Sequence, residues 1–353
     1  MILSTLDKSR KGGAYEQIPS LVLGQRWTPQ LNSRNMMKVV LCVWIEPYIE
    51  NDLSFCVWPV HTPTTSKEVL TLSASTSPLP YTGNKSCIVN TILSVMPKHT
   101  VYIDPCMGSA KVFFRKPRAE KEILNDYNGD LVNLFRVIQN NEKLAYLLGR
   151  LYLSINGELA FKQNKDRLKG VPNILDDVIE TSQIFYDASW EDIQNAAAFL
   201  ENQVYSFSST GQTFGIARRD MSQRLPRLMS AYNRIRDAII LHRDYKDVIT
   251  YAACPGSFIL LDPPYKGTED MYSKANFDIE QHDILFSFMS EVNQQHHGEV
   301  KFLITYNNDP YIRGLAEKHG FDTFVQTRLH SMKQSKEAGA LYEELLIANY
   351  DLE

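Results

Sequence analysis

The feature that most constrains this chain of 353 residues is an apolar run that ends in an acid and two prolines. Residues 258–261 are all apolar, and Asp262, Pro263, Pro264 and Tyr265 follow them. Such a run indicates a strand buried on both faces, and open α/β sheets bind ligands at the carboxyl ends of these strands. The prolines remove two N–H donors and leave carbonyl acceptors. The segment therefore predicts a pocket that accepts hydrogen bonds from an amine, while Tyr265 stacks on a planar base.

A second segment of this type lies upstream. The short apolar run 101–103 ends in Asp104, and a turn of small residues that includes Gly108 comes next. Small residues at a strand-to-helix turn let the backbone approach a ligand closely. The pattern predicts that Asp104 and Gly108 lie at the same sheet edge as Asp262.

Two more segments complete the order. The run 122–124 ends in Asn125 and Asp126, about twenty residues after the first acid, which is the distance at which a second strand presents an acid to ribose hydroxyls. Before all of these, residues 81–85 open a helix-like stretch. Each segment alone is weak evidence, but four in this order favour a nucleotide-type site.

The alternation of helical and strand patterns from residue 80 onward predicts an α/β fold with a doubly wound, mostly parallel sheet. We assign residues 79–142 and 246–353 to this domain. The intervening residues 143–245 are mainly helical in pattern and predict an inserted domain. Residues 1–78 carry no motif and are interpreted as a poorly ordered extension.

Charge and cysteine usage narrow the class of protein. The formal net charge is −4, yet the segment 218–246 contains eight basic residues, which predicts a local phosphate-binding surface. The candidate DNA-binding residues in it are Arg218, Arg219, Arg224 and Arg227. Five scattered cysteines without a Cys-x-x-Cys pair indicate reduced thiols in a cytosol and favour neither a metal site nor a disulfide framework. No apolar stretch is long enough for a membrane span.

From residue 80 to residue 352 the chain resembles the Dam-like class of N6-adenine DNA methyltransferases. That family has a Tyr/Trp-x-Gly-Gly-Lys motif, a Glu/Asp-Pro-Phe-x-Gly-x-Gly loop, an Asn-Asp-x-Asn segment and an Asp-Pro-Pro-Tyr motif in this order. The corresponding residues here are 81–85, 104–110, 125–128 and 262–265. Three positions depart from the family pattern: Asn84 and Ala110 replace glycines, and Cys106 replaces a phenylalanine.

The resemblance implies a Rossmann-like methyltransferase fold in which the insert recognises the DNA target. It also implies S-adenosylmethionine as the cofactor and double-stranded DNA as the partner, with the N6 amine of a flipped-out adenine as the methyl acceptor. The residues implied in catalysis are Asp262, Pro263, Pro264 and Tyr265. The residues implied in cofactor binding are Tyr81, Gly83, Lys85, Asp104, Gly108, Asn125, Asp126 and Asp262.

Two alternatives stay open at the level of sequence. Methylation of cytosine at N4 uses a similar pocket, and a DNA-binding relative with weakened catalysis fits the departures at Cys106 and Ala110. The expected setting is the cytoplasm of a bacterium, with the gene carried by the host or a phage and the protein associated with the nucleoid. We further expect a monomer, for which a restriction endonuclease is a conceivable partner.

Overall fold

The computed structural model describes residues 77–81, 83, 85–176, 188–217, 219–267, 277–329 and 341–352. The extension assigned to residues 1–78 therefore lies outside the described residues, except for its last two. Both of these, Ser77 and Pro78, are buried, and the Ser77 hydroxyl donates a hydrogen bond of 2.5 Å to the Ser109 carbonyl. They pack on the catalytic domain, so the boundary at 78 is placed too late by at least two residues.

Seven strands form one sheet in the order β3-β2-β1-β4-β5-β7-β6. Strands β1 to β5 pair in parallel, whereas β7 pairs antiparallel with both β5 and β6. The strands are β1 Val101–Asp104, β2 Lys121–Asn125, β3 Ile239–Leu241, β4 Ser257–Leu261, β5 Lys301–Asn307, β6 Asp322–Leu329 and β7 Leu341–Ala348. The doubly wound, mostly parallel sheet expected from the sequence is confirmed.

Helices cover both faces of the sheet. Within the part of the chain that the structure describes, they are α1 Val89–Val95, α2 Lys111–Arg115, α3 Gly129–Gln139, α4 Asn141–Tyr152, α5 Glu158–Lys169, α6 Trp190–Tyr205, α7 Leu225–Ile235, α8 Tyr245–Ala252, α9 Ile279–Gln295 and α10 Pro310–Lys318. Helices α1 to α7 pack into one hydrophobic cluster and α8 to α10 into the other. Of the helices so described, none combines the length and the apolar character that a membrane crossing requires.

Alternation along β4 explains why its sequence is wholly apolar. Phe258 and Leu260 belong to the cluster on one face of the sheet, while Ile259 and Leu261 belong to the cluster on the other. All four are buried. A strand in a parallel sheet covered on both faces needs apolar side chains at every position, and this is the pattern on which the sequence prediction rests.

The inserted segment shares its core with the sheet domain. Helix α6 packs on α3, α4 and α5, and its buried residues join the same cluster as those of α1 and α2. A capping box between Ser189 and Asp192 starts α6, and the buried run Ala196, Ala197 and Ala198 lets neighbouring helices approach closely. The insert is therefore mainly helical, as expected, but has no separate core in the described residues.

Two strands were not anticipated. The assignment of residues 143–245 to the insert is wrong at its end, because β3 pairs with β2 in the main sheet. With only three residues, β3 is too short to show a hydrophobic periodicity in the sequence. Strand β6 is largely exposed and lacks an apolar run, so its pairing with β7 could not be read from pattern. Strand β1 is confirmed where the apolar run 101–103 and its terminal acid predict it.

A buried cluster of charges ties the insert to the sheet. Glu122 on β2 lies 2.6 Å from the Lys116 ammonium and is also paired with the Arg234 guanidinium of α7. Burial by itself raises the pKa of Glu122, but hydrogen bonds from Arg234 and Lys116 hold it below its usual value. The Arg234 guanidinium also lies over the Phe113 ring, 3.7 Å from its centroid. Since each charge has a partner, the cluster can lie in the core.

Replacing Arg234 with methionine should lower the free energy of unfolding by about 3 kcal/mol, because Glu122 keeps its burial and loses one of its two cations. Urea unfolding of both proteins measures the difference. The control is Arg236→Met, an exposed arginine two residues away. Equal losses of unfolding free energy in the two variants would show that the buried cluster contributes no more to stability than an exposed arginine does.

Candidate active site

The site lies between β1 and β4, where the order of the strands along the sheet changes direction. Strands β1 and β4 are neighbours, and their register pairs Ile103 with Ile259. Asp104 ends β1 and Asp262 directly follows β4, so both acids emerge at the same carboxyl edge. Chains that leave neighbouring parallel strands toward opposite faces open a crevice at that point.

Asp262 is held by two partners from different elements. Its Oδ2 atom lies 2.6 Å from the Nζ atom of Lys85, and its Oδ1 atom accepts a hydrogen bond of 2.7 Å from the Thr305 hydroxyl on β5. The Lys85 ammonium also donates to the Gly83 carbonyl at 2.9 Å. Burial raises the pKa of Asp262, and the adjacent Lys85 opposes that rise. Lys85 therefore favours the ionised form of this carboxyl.

Tyr265 is fixed on three sides. Its hydroxyl donates a hydrogen bond of 2.8 Å to Glu344 on β7, and its ring centroid lies 5.7 Å from that of Tyr306. The Lys85 ammonium stands 4.8 Å from the centre of the Tyr265 ring. The four predicted catalytic residues thus follow β4 as one segment, with Lys85 between the carboxylate and the ring.

Asp104 and Asp126 are acids held in the interior beside Asp262. Burial raises the pKa of Asp104 to about 8, with further contributions from Asp262 and Asp126, against a hydrogen bond of 2.9 Å from the Tyr102 hydroxyl. Burial likewise raises the pKa of Asp126 to about 6, although the backbone N–H groups of Asn128 and Gly108 donate to it. Clustered acids with raised pKa values are typical of functional sites.

The turn between β1 and α2 brings backbone close to these acids. Gly108 has φ of 48° and donates its N–H to Asp126 at 2.9 Å. Ala110, which departs from the family glycine, has φ of 53°, in the left-handed region that disfavours a side chain by about 1 kcal/mol. The Asn125 amide donates to the carbonyls of Pro105 and Arg243, so it joins two strand-end turns.

A cavity of about 1010 Å³ lies between this sheet edge and the insert. Its walls include most of the predicted site residues, namely Tyr81, Gly83, Lys85, Asp104, Gly108, Asp126, Asp262, Pro263 and Pro264. Asn125 and Tyr265 are not among its lining residues. The carboxyl groups of Asp104, Asp126 and Asp262 on this wall are suited to hydrogen bonds with the hydroxyl and amino groups of a ligand.

Basic side chains from two parts of the chain gather around Lys111, and we call this group, with Arg115, Arg224 and Arg227, the basic rim. Burial and the charges of Arg227, Arg115 and Arg224 lower the pKa of Lys111, which lines the cavity. Burial, Arg227 and Arg219 lower the pKa of Arg224 in the same way. Like charges crowded together imply a polyanionic partner. Arg218, the fourth predicted arginine, lies outside the described residues.

Several residues of the site escaped the sequence analysis. Thr305 and Glu344 hold Asp262 and Tyr265, and Lys111 with Arg115 extend the basic group. The sequence does contain a signal for Glu344, because this acid directly precedes the apolar run that ends β7. An acid at the start of a buried run is itself expected to be buried, and a buried acid needs a specific partner. Among the described residues, no group of three or more His, Cys, Asp and Glu side chains could hold a metal ion.

The fold and the site together define a Rossmann-like methyltransferase: a mostly parallel seven-stranded sheet with acids at the end of β1, β2 and β4 around one cavity. Residues 81–335 match the family described as D12 class N6 adenine-specific DNA methyltransferase. This range covers more than half of the chain, so the chain belongs to that family, and the family implies a methyl donor. The predicted resemblance is confirmed.

Curated relatives have names that agree with this family. The DNA N-6-adenine-methyltransferase of Escherichia phage P1 is 25% identical over 258 residues, which cover 68% of this chain and 31% of that protein. Modification methylase LlaI of Lactococcus lactis subsp. lactis is 21% identical over 300 residues, covering 79% of this chain and 44% of the relative. Type II methyltransferase M.CviBI of Paramecium bursaria Chlorella virus NC1A is 22% identical over 257 residues, which cover 71% of this chain and 90% of that protein. The chain thus spans less than half the length of the first two.

Asp104→Asn should make the protein without ligand more stable at pH 8, by about 5 kcal/mol at most, since each unit of pKa difference corresponds to about 1.4 kcal/mol. The folded state raises the pKa of Asp104 to about 8, so it holds a proton that the unfolded chain releases near pH 4. The stability that this group contributes is therefore lost as pH rises through 8, and asparagine removes that loss. Urea unfolding between pH 5 and pH 8 should show a gap that widens with pH. Parallel curves for the two proteins would contradict the prediction, and the exposed Asp166→Asn serves as control.

Proposed function

We propose that this protein transfers a methyl group from S-adenosylmethionine to the N6 amine of adenine in double-stranded DNA. The observation that carries the proposal is the position of the Lys85 ammonium, 2.6 Å from the Asp262 carboxylate and 4.8 Å from the centre of the Tyr265 ring. The Lys85 ammonium marks the position of a nitrogen that donates a hydrogen bond to Asp262. An adenine amine in that position would lie beside the Pro263 carbonyl and over an aromatic face.

The residues that line the cavity fit the cofactor. Asp126 and Asp104 are buried acceptors suited to its hydroxyl and amino groups, and Gly108 leaves the backbone open, since a Cβ atom there would meet nothing closer than Tyr81 at 3.8 Å. Lys85 and Asp262 separate this part of the cavity from Tyr265. When bound, S-adenosylmethionine supplies an electrophilic methyl group on a sulfonium.

Asp262 and Pro263 make the amine reactive. The lone pair of an exocyclic amine is delocalised into the ring, so the nitrogen is a weak nucleophile until hydrogen bonds to fixed acceptors draw it toward tetrahedral geometry. As the nitrogen gains its methyl group it becomes positively charged, and the Asp262 carboxylate stabilises that charge without rearrangement. Solvent accepts the proton afterwards, so Asp262 needs no strong basicity and no covalent enzyme intermediate forms.

The basic rim supports duplex DNA as the partner. The amine of a paired base is inaccessible, so adenine must leave the stack and enter the cavity. Lys111 lines the cavity and Arg115, Arg224 and Arg227 add positive charge around it, where the flanking phosphates would lie. Phosphate neutralisation offsets the mutual repulsion of these bases.

The cellular setting that we propose is the cytoplasm of a bacterium, with the protein acting on host or phage DNA as a monomer. The names "modification methylase" and "Type II methyltransferase" of two relatives support a restriction endonuclease as the functional partner. Expression in a host that lacks adenine methylation, followed by modification-sensitive sequencing of its DNA, would report the product and the recognition sequence together.

Asp262→Asn should lower the rate of methyl transfer to DNA by about 10²–10³-fold while cofactor affinity stays within a few-fold, because the charge that stabilises the forming ammonium is lost. The measurement is transfer of labelled methyl groups to DNA, with N6-methyladenine and N4-methylcytosine resolved by mass spectrometry of nucleosides. Near-normal turnover would refute the catalytic assignment, and N4-methylcytosine as the product would replace adenine with cytosine. The exposed Asp247→Asn is the control.

Arg227→Ala should weaken DNA binding and make the negative slope of log K against log salt shallower by about one unit, since one phosphate contact is removed. Cofactor affinity should not change. Lys318→Ala on α10 removes the same charge from an exposed site and should leave the slope as in the wild type. If the two variants have equal slopes, the basic rim does not contact DNA.

A further inference from the structure

We propose that Glu344 is a positioning residue for methyl transfer, which acts through the hydroxyl of Tyr265. The inference rests on the proposed function, because it concerns the ring over which the reacting nitrogen would lie. Glu344 comes from β7, in a part of the sheet remote in sequence from the segment that carries Asp262.

The geometry around Glu344 is specific. Its Oε2 atom accepts the Tyr265 hydroxyl at 2.8 Å, while its Oε1 atom accepts two donors of Arg328, at 2.8 and 3.1 Å. The Glu344 side chain is 5% exposed. Each carboxylate oxygen thus has its own partner, and the Arg328 guanidinium compensates the charge of the buried acid.

Arg328 is itself held in place. It lies on β6, and its guanidinium stands 4.5 Å from the centre of the Tyr342 ring on β7. The antiparallel register pairs Arg328 with Tyr342 and Gln326 with Glu344. The backbone of two paired strands therefore fixes Glu344 and its cation, and Glu344 in turn fixes the tyrosine hydroxyl.

The Tyr265 hydroxyl is also linked to the catalytic acid. Thr305, whose hydroxyl donates its one proton to Asp262, also acts on the Tyr265 hydroxyl, whose own proton goes to Glu344. Asp262, Thr305, Tyr265 and Glu344 thus form one polar cluster. Displacement of Glu344 would change the tilt of the ring relative to the nitrogen that Asp262 binds.

Glu344 has an electronic effect in addition to the geometric one. A phenol that donates its proton to a carboxylate carries more electron density in its ring, which strengthens the attraction of the ring face for a cation. The Lys85 ammonium over this ring shows that the face accepts positive charge. Since the adenine nitrogen gains positive charge only as it reacts, the ring should stabilise the transition state more than the bound substrate.

The test is a double-mutant cycle on the single-turnover rate of methyl transfer to DNA. Glu344→Gln and Tyr265→Phe should each lower the rate about tenfold or more, which corresponds to the loss of a hydrogen bond to a charged group. The KM for DNA and the affinity for cofactor should remain within about twofold. The double variant should be no slower than the slower single variant, because both changes break the same contact.

Three results would overturn the inference: a wild-type rate for Glu344→Gln, reductions that multiply in the double variant, or cofactor affinity that falls in parallel with the rate. The matched control is Glu343→Gln, whose exposed neighbouring carboxylate bonds Asn308 and should leave the rate unchanged. If Glu344→Gln does not fold, Tyr265→Phe carries the test alone, and a wild-type rate in that variant refutes the proposal. Failure of the proposed function itself is distinct, since the wild-type protein would then form no N6-methyladenine.

Discussion

Parallel pairing of β1 with β4 is the interaction on which the rest of this structure depends. The two strands are remote in sequence, yet their register sets Asp104 and Asp262 at one edge of the sheet. The chain leaves them toward opposite faces and opens the crevice there. Strand β5 then places Thr305 against Asp262, and β7 places Glu344 against Tyr265. The segment 262–265 is thus a short loop after β4 that side chains of β5 and β7 hold.

Buried acids in this protein fall into two kinds, and their partners separate them. Glu122 has a cation on each side, and its pKa lies below the usual value, so it stabilises the fold as an ion. For Asp104, a hydrogen bond from Tyr102 and the charge of Lys85 do not offset burial, and its pKa is raised to about 8. An acid that costs stability in the protein alone is positioned for a ligand. Asp262 lies between these two kinds, because burial raises its pKa while the charge of Lys85 lowers it.

The basic segment shows how one sequence pattern can serve two purposes. Arg227 and Arg234 are seven residues apart, so both lie on about the same side of helix α7. Arg227 is exposed and contributes to the basic rim, whereas Arg234 is buried against Glu122. Helix α7 therefore ties the basic rim to the strand that ends in Asn125 and precedes Asp126.

The sequence by itself determined the sheet class, the order of the four motifs and the identity of the acids, because a strand buried on both faces must be apolar and a polar residue at its end is conspicuous. It located β1 at its bounds and singled out Asp262 and Tyr265, which the structure places beside the cavity with Lys85 between them. Only the tertiary structure decided that Arg224 and Arg227 gather around Lys111, that three-residue β3 belongs to the sheet, and that Thr305 and Glu344 hold Asp262 and Tyr265. Those outcomes depend on contacts between residues remote in sequence, and local periodicity carries no information about such contacts.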